Sequence, residues 1–327
     1  MLNRNSRSKP LNGLLVGCLA WSMANLALAD EAHAWLKRMG TAIKTLNYVG
    51  TFVFIHANHV ESMRVIHAAD QNEERERLIS LNGSPREIIR DSNQLICIIP
   101  ETRSVIVEKS RPRKYIPEAL LNLDQGLDKH YLFHIVGKDR VAGMGAIIIA
   151  IKPRDAFRYG YRLWISTDTN LLLKSEVVNE HGEIVEQLVF TELKVQEKID
   201  PALLKPEISI EGFTWHREMN SPRPMPKERL WQIVRLPPGF KPQMHMEHGL
   251  PNRRMAVEHW VLTDGLATVS VYIEKPQASA KEQLQGVSTM GAINAYGTAL
   301  EGYQLIVVGE VPKVTVMMIG QSIRKTP

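Results

Sequence analysis

The side chains best suited to chemistry are scattered imidazoles, four arginines and one histidine–methionine run. Met244-His245-Met246-Glu247-His248 gathers imidazole, carboxylate and thioether groups, donors that suit copper or zinc. Its spacing matches no established ligand pattern, and a polar loop between Pro242 and Pro251 accounts for the run without a metal. His56 and His59 fall at an expected hairpin tip, while His130 and His134 stand four residues apart. A histidine that ligates or acts as a base needs a second group to orient it, and the sequence shows none for these four. There is no G-x-S-x-G elbow, no H-E-x-x-H pair and no Gly-rich phosphate loop. Glu73-Glu74 belongs to a charged run that solvates a turn. The expectation is a binding protein without catalytic residues, metal or cofactor.

Arg75, Arg77, Arg86 and Arg90 come within reach of one another if the chain turns at Asn82-Gly83. That pairing would set them with Glu76 and Glu87 on a polar face. Two readings stay open. One is a surface ion-pair ladder, common and of little energetic weight. The other is a patch for phosphate head groups, which the guanidinium fork fits. Tyr48, Phe52, Phe54, Met63 and Leu78 are candidates to line an apolar cavity, with an ordinary sheet core as the alternative.

The elements that would position these groups are mostly strands. Residues 46–109 alternate apolar and polar with Gly, Asn and Asp at the breaks, the pattern of an antiparallel meander. Asn82-Gly83 and Asp264-Gly265 read as tight hairpin turns. Residues 30–45 have helical spacing through Ala34, Trp35, Met39, Ala42 and Ile43, as expected of an amphipathic cover on the sheet. A short helix is expected over 117–126, extended or followed by another over 127–134. Strands resume at 131–136, 146–152, 159–166, 171–178 and 184–193. Residues 211–227, with Pro222, Pro224 and Pro226, read as a linker, long enough to span roughly 50 Å if extended. Beyond it, 228–327 carries strands at 255–262, 267–274, 289–299 and 303–310, and a closing helix over 313–323.

Arg4, Arg7 and Lys9 precede a mostly apolar stretch from Leu11 to Leu28, and Ala27-Leu28-Ala29 is a small-residue cleavage pattern. This is the layout of a secretory leader removed after Ala29. A retained anchor fits less well, because Ser22 and Asn25 interrupt the run. Lipidation at Cys18 also fits less well, because the residues after it stay hydrophobic. Of the 40 Lys and Arg, removing three leaves 37 against 35 acidic residues. A net charge of +2 is no nucleic-acid signature. Only Cys97 would remain, so no internal disulfide can form. It lies among Leu95, Ile96, Ile98 and Ile99, as expected of a buried inert thiol.

Several long strings resemble the RseB/MucB family, periplasmic regulators of the envelope-stress sigma-factor pathway. They include Leu46-Asn47-Tyr48-Val49-Gly50-Thr51-Phe52-Val53, Glu61-Ser62-Met63-Arg64, and Arg75-Glu76-Arg77-Leu78-Ile79-Ser80-Leu81-Asn82-Gly83 running into Arg86-Glu87-Ile88-Ile89-Arg90. Tyr161-Arg162-Leu163-Trp164, Leu236-Pro237-Pro238-Gly239-Phe240, Asn294-Ala295-Tyr296-Gly297 and Val308-Gly309-Glu310-Val311-Pro312 continue the likeness. Phe54 and Tyr272 depart from it only in aromatic type.

The resemblance implies an α+β, predominantly antiparallel β fold. Its N-terminal part would be a lipoprotein-carrier-like (LolA/LolB-like) half-barrel with covering helices, followed by a smaller C-terminal α+β domain. It also implies binding to the periplasmic domain of a membrane anti-sigma factor, protection of that segment from site-1 proteolysis, and release by lipid or lipopolysaccharide. A homo-oligomer is compatible with this reading. The alternative function is a periplasmic lipid or lipoprotein carrier, which would need only the first domain.

Overall fold

The period-2 patterning of the first domain becomes a run of consecutive antiparallel strands in the computed structural model. It describes residues 30–57, 59–70, 73–110, 126–217, 223–224, 230–249, 256–275 and 283–326. The first six strands are β1 (Asn47–His56), β2 (His59–Asp70), β3 (Glu73–Ser80), β4 (Glu87–Arg90), β5 (Gln94–Ile99) and β6 (Ser104–Lys109). The next six are β7 (Tyr131–Val141), β8 (Met144–Pro153), β9 (Gly160–Ser166), β10 (Leu172–Val178), β11 (Ile184–Gln196) and β12 (Thr214–Arg217). Together they make a 12-stranded sheet in the order β12-β6-β5-β4-β3-β2-β1-β11-β10-β9-β8-β7. Only β12 is parallel to its neighbour, so part of the expected linker is built into the sheet edge.

Helix α1, residues 30–45, covers one face of this sheet. Asp30 and Glu31 stand at its positive end, where acidic groups are favoured. Its buried stripe is Ala32, Leu36, Met39, Ala42 and Ile43. The expected stripe included Ala34, which is exposed; the helix is rotated so that Ala32 and Leu36 point inward, and half-buried Trp35 carries the Arg38 guanidinium on its ring at 4.2 Å.

The second sheet contains β13 (Arg223–Pro224), β15 (Lys241–Gly249), β16 (Ala256–Thr263), β17 (Thr268–Glu274), β18 (Gly286–Met290), β19 (Ile293–Leu300) and β20 (Tyr303–Gly309). β14 (Trp231–Ile233) pairs with β21 (Ile323–Lys325), and helix α2 (Lys313–Gln321) packs on β19 and β20. Trp231, Leu262, Val271, Leu305, Val307, Val316 and Ile319 form its core. The single strand expected over 289–299 is a hairpin instead, broken at Gly291 with φ +60°.

Four other local expectations are corrected. Asn82-Gly83 is not a two-residue turn: β3 and β4 are joined by residues 81–86, closed by Ser80 N–H to Arg86 O at 2.9 Å. Gly83 has positive φ and Asn82 does not. The Asn82 side chain acts as an extra strand residue, accepting from Ser62 N at 2.7 Å and donating to Val60 O at 2.8 Å. At Asp264-Gly265 the pair Thr263–Thr268 closes a four-residue loop. The loop expected between Pro242 and Pro251 is largely strand β15, with Pro242 at a register irregularity where its missing N–H is tolerated. Leu127–Lys129 forms one 3-10 turn before β7, so no helix extends over 127–134. The helix expected over 117–126 and the leader fall outside the described residues. Among the described residues no helix is long and apolar enough to cross a membrane.

Candidate functional site

Directly paired residues on neighbouring antiparallel strands share a face, as do residues two apart on one strand. By that rule Tyr48, Phe52 and Phe54 of β1, Met63 of β2 and Leu78 of β3 all lie on the face covered by α1. Tyr48, Phe52, Met63 and Leu78 are buried in one cluster with the α1 stripe, and Phe54 packs against it half-buried. The space left between Ile43, Tyr48, Val65, Leu188, Phe190 and Leu193 is about 10 Å³. That is room for about one water. Ile43 of α1 closes this gap on the helix side.

The four arginines divide between faces. Arg77 is fully buried on the face away from α1, donating through Nε to Glu87 at 2.9 Å and through Nη1 to Glu207 and the Leu203 carbonyl, each at 3.0 Å. Glu87 in turn accepts from the Glu207 and Ile208 amides. Segment 203–208 thus caps that face through the buried Arg77–Glu87 pair, a long-range contact that no local pattern signals. Arg90 lies on the α1 face beside Glu76 at 3.2 Å and Glu74 at 3.3 Å. The buried His67 joins them, with Nδ1 2.7 Å from Leu46 O and Nε2 3.4 Å from Glu74. Arg86 reaches Glu61 at 3.1 Å, and exposed Arg75 pairs with Glu73. Each of the four guanidiniums faces a carboxylate.

Sequence reasoning missed the junction between the two domains. Arg158, in the loop between β8 and β9, inserts fully buried between the rings of Tyr131 and Phe240, 5.4 and 5.3 Å away. Its Nη1 lies 2.9 Å from Asp264 Oδ2, and its Nη2 donates to the Pro238 carbonyl. The Nη1 contact is ionic in distance but not aligned as a hydrogen bond, so its attraction is mainly Coulombic. Tyr131 donates to the same Asp264 oxygen at 2.9 Å. Burial, reinforced by Asp264, pushes the Tyr131 phenol well above its ordinary range. Asp264 Oδ1 caps its own loop by accepting from the Leu266 and Ala267 amides. Alongside, Asn294 donates to Tyr159 at 2.9 Å, and Thr315 donates to the Phe157 carbonyl at 2.7 Å. The only sequence signal was a charge set among aromatics in Phe157-Arg158-Tyr159-Gly160-Tyr161.

The α1-covered face ends in a polar mouth near the second domain. His56 Nε2 lies 3.3 Å from Glu61 Oε1, and the His56 and His59 rings are 5.6 Å apart. Burial, and then the charge of Glu310 from the second domain, push the Glu186 carboxyl up to about 8. His245, the other metal candidate, stacks on Trp260 at 3.5 Å and contacts Glu258 at 2.8 Å. Its strand position explains it structurally. His130 lies against Gly239 at the junction. Among the described residues no three His, Cys, Asp or Glu side chains form a group that could hold a metal ion.

Fold and junction together define a class: a two-domain antiparallel-β protein whose large sheet wraps a helix and whose smaller domain is locked onto its rim by a buried charge. The chain belongs to the MucB/RseB family. The family's N-terminal domain matches residues 31–208 and its C-terminal domain residues 225–324. The sigma factor AlgU regulatory protein MucB of Pseudomonas aeruginosa is 30% identical over 305 residues, covering 90% of this chain and 92% of that protein. The sigma-E factor regulatory protein RseB of Escherichia coli is 26% identical over 324 residues, covering 95% and 96%. Among solved structures, the Pseudomonas aeruginosa MucA/MucB complex superposes with a TM-score of 0.70 at 27% identity, covering 91% of this chain and 99% of that one. A crystal structure of MucB alone gives 0.61 at 27% identity.

Proposed function

We propose that this protein is a periplasmic negative regulator of a sigma-E-type envelope stress response. It binds the periplasmic segment of a membrane anti-sigma factor and shields it from site-1 proteolysis. The observation that carries this reading is the match across both domains to relatives named as sigma-factor regulators, including MucB solved together with MucA. The protein acts by binding and not by catalysis, after export and removal of residues 1–29. Two domains joined by a buried junction present a continuous surface, which suits a segment that contacts both at once and gains from their high mutual effective concentration.

The same reading gives the first domain a lipid-responsive role. Acyl chains would be received by Tyr48, Phe52, Phe54, Met63 and Leu78, and head-group phosphate by some of Arg75, Arg77, Arg86 and Arg90. The gap beside Ile43 is too small for an acyl chain, so entry there requires α1 to move aside. Arg86 and Arg75 are the accessible members of the arginine group, with Arg77 committed to Glu87 on the face away from α1. At ~0.8 kcal/mol per buried methylene, a single acyl chain offers enough free energy to compete with a helix cover.

The test is a cleavage assay on the purified periplasmic segment of the anti-sigma factor with its site-1 protease. Saturating protein should slow cleavage at least tenfold, and an acyl-bearing lipid should restore it. An unchanged cleavage rate at saturation would overturn the regulatory reading. Protection that lipid does not relieve would remove the lipid-responsive part alone.

A further inference from the structure

Helix α2 is apolar on its outer side as well as its inner one. Its sequence, Lys313-Val314-Thr315-Val316-Met317-Met318-Ile319-Gly320-Gln321, holds one cation and no acidic residue. Thr315, Val316, Ile319 and Gly320 are buried against the second domain. A surface helix ordinarily turns charged and polar groups to water, and a helix that is apolar all round is one that becomes covered. Here the outward side carries Val314, 44% exposed, with Met317 and Met318 half-buried. Val234, just after β14, lines the same space and is 58% exposed.

These four side chains border a groove of about 580 Å³, a size typical of ligand-binding clefts. Arg235 and Arg324 line it too, and exposed Lys313 stands next to Val314. Arg324 donates through Nη1 to the Gln321 and Ile323 carbonyls at 2.8 and 2.7 Å, which holds its guanidinium at the C-terminal end of α2. Arg75, Arg77, Arg86 and Arg90 each face a carboxylate. Among the described residues Arg235 and Arg324 face none, and no residue lining the groove is acidic. Lys325 close by already has Glu301 at 3.3 Å. The groove thus offers hydrocarbon and thioether surface together with two guanidiniums. Methionine adapts its shape to an incoming apolar group, and the guanidinium fork suits a carboxylate. At 1.5 Å per residue the nine residues of α2 run roughly 13 Å, the span of about four residues of extended chain.

We propose that the groove beside α2 docks an acidic, apolar segment of a partner protein. The segment would be an extended stretch of about four residues that sets aliphatic or aromatic side chains against Val234, Val314, Met317 and Met318. Carboxylates flanking it would meet Arg235 and Arg324. A concave cleft receives a peptide, whereas a lipid surface is entered by apolar groups that project outward. The groove is built entirely by the second domain, so this docking does not depend on the anti-sigma or lipid-responsive reading.

The test is selection from a random dodecapeptide display library on purified protein comprising residues 30–327, followed by fluorescence anisotropy with the labelled peptides. Selected peptides should combine Asp or Glu with Leu, Ile or Phe and bind with a micromolar Kd. Val314→Glu should weaken that binding at least tenfold. Its melting temperature should match or exceed wild type, because an acidic residue in the first turn of a helix is favoured. Val234→Glu and Arg324→Glu should each weaken binding at least fivefold, and replacing the peptide's acidic residues by Lys should abolish it. Selection of only basic or uncharged peptides overturns the proposal, as does equal affinity for wild type and Val314→Glu. Vesicles of phosphatidylglycerol that capture wild type but not Val314→Glu, with no such peptide selected, would overturn it in favour of a membrane. Dimerisation abolished by Val314→Glu would overturn it in favour of a second copy of the chain.

Discussion

Among the described residues two arginines are buried completely, and they do different work because their buried counter-ions come from different places. Arg77 finds Glu87 ten residues away on the adjoining strand and Glu207 on a segment of the same domain. Arg158 meets Asp155 of its own loop at 3.1 Å, but its fully buried carboxylate partner, Asp264, comes from across the domain boundary, with Pro238 O and the Phe240 ring also supplied by the second domain. A buried charge deprived of its partner is strongly unfavourable. The first pair therefore fastens a domain to itself. The second makes separation of the domains costly, since it would leave Arg158 and Asp264 without each other. Parts of the expected linker are built into the two sheets, as β12 and β13, and the junction adds to what opposes separation of the domains.

The comparison is broken most severely at Arg77. Arg77→Ala leaves Glu87 buried without its guanidinium and should cost about 3–5 kcal/mol, seen as a lower urea midpoint of the first domain. A loss under about 1 kcal/mol would show that water reaches Glu87 and that the two arginines are not comparable.

Asp264→Asn keeps the acceptor that caps the 264–267 loop but removes the charge facing Arg158. A loss of roughly 2–3 kcal/mol is expected. It should appear as separation of one unfolding transition into two, or as faster protease cleavage between the domains. A uniform downward shift with a single transition would mean that Asp264 stabilises its own domain and not the junction.

Gly239→Ala probes the same junction by shape. Gly239 has φ +82°, and an added Cβ would lie 2.2 Å from His130 Nε2 of the first domain. Backbone strain of that kind costs about 1–3 kcal/mol, and the clash forces the domains apart locally. Differential hydrogen exchange should rise around Leu127–Tyr131 and Leu236–Phe240. Exchange confined to the second domain would argue that His130 simply rotates away.

Arg75→Ala should have the smallest effect. Its pair with Glu73 is exposed, and such pairs contribute little. The urea midpoint should stay within experimental error, and a clear drop would mean that the solvent-exposed arginines share in the fastening.

What could be read along the chain is what depends on neighbours in sequence. Alternation over residues 46–109 specified strands, since side chains in a strand project with period two. The spacing through Met39, Ala42 and Ile43 specified the covering helix, with its face misread by part of a turn. The Met-His-Met run shows the limit. The same period-two alternation that makes Met244–His248 a strand was masked by the flanking prolines, of which Pro242 is tolerated at an irregular position.

The sequence by itself determined the antiparallel-β class, the helix cover, the smaller second domain and, through long matching strings, the family. Tertiary structure alone decided which carboxylate each arginine meets and which imidazoles stand together. Arg77 and Glu207 are 130 residues apart, and Tyr131 and Asp264 are 133 apart. Strand register decides the rest, because a shift of one residue moves every side chain to the opposite face. No local pattern carries that information, so the junction at Asp264 and the groove beside α2 exist only in the folded chain.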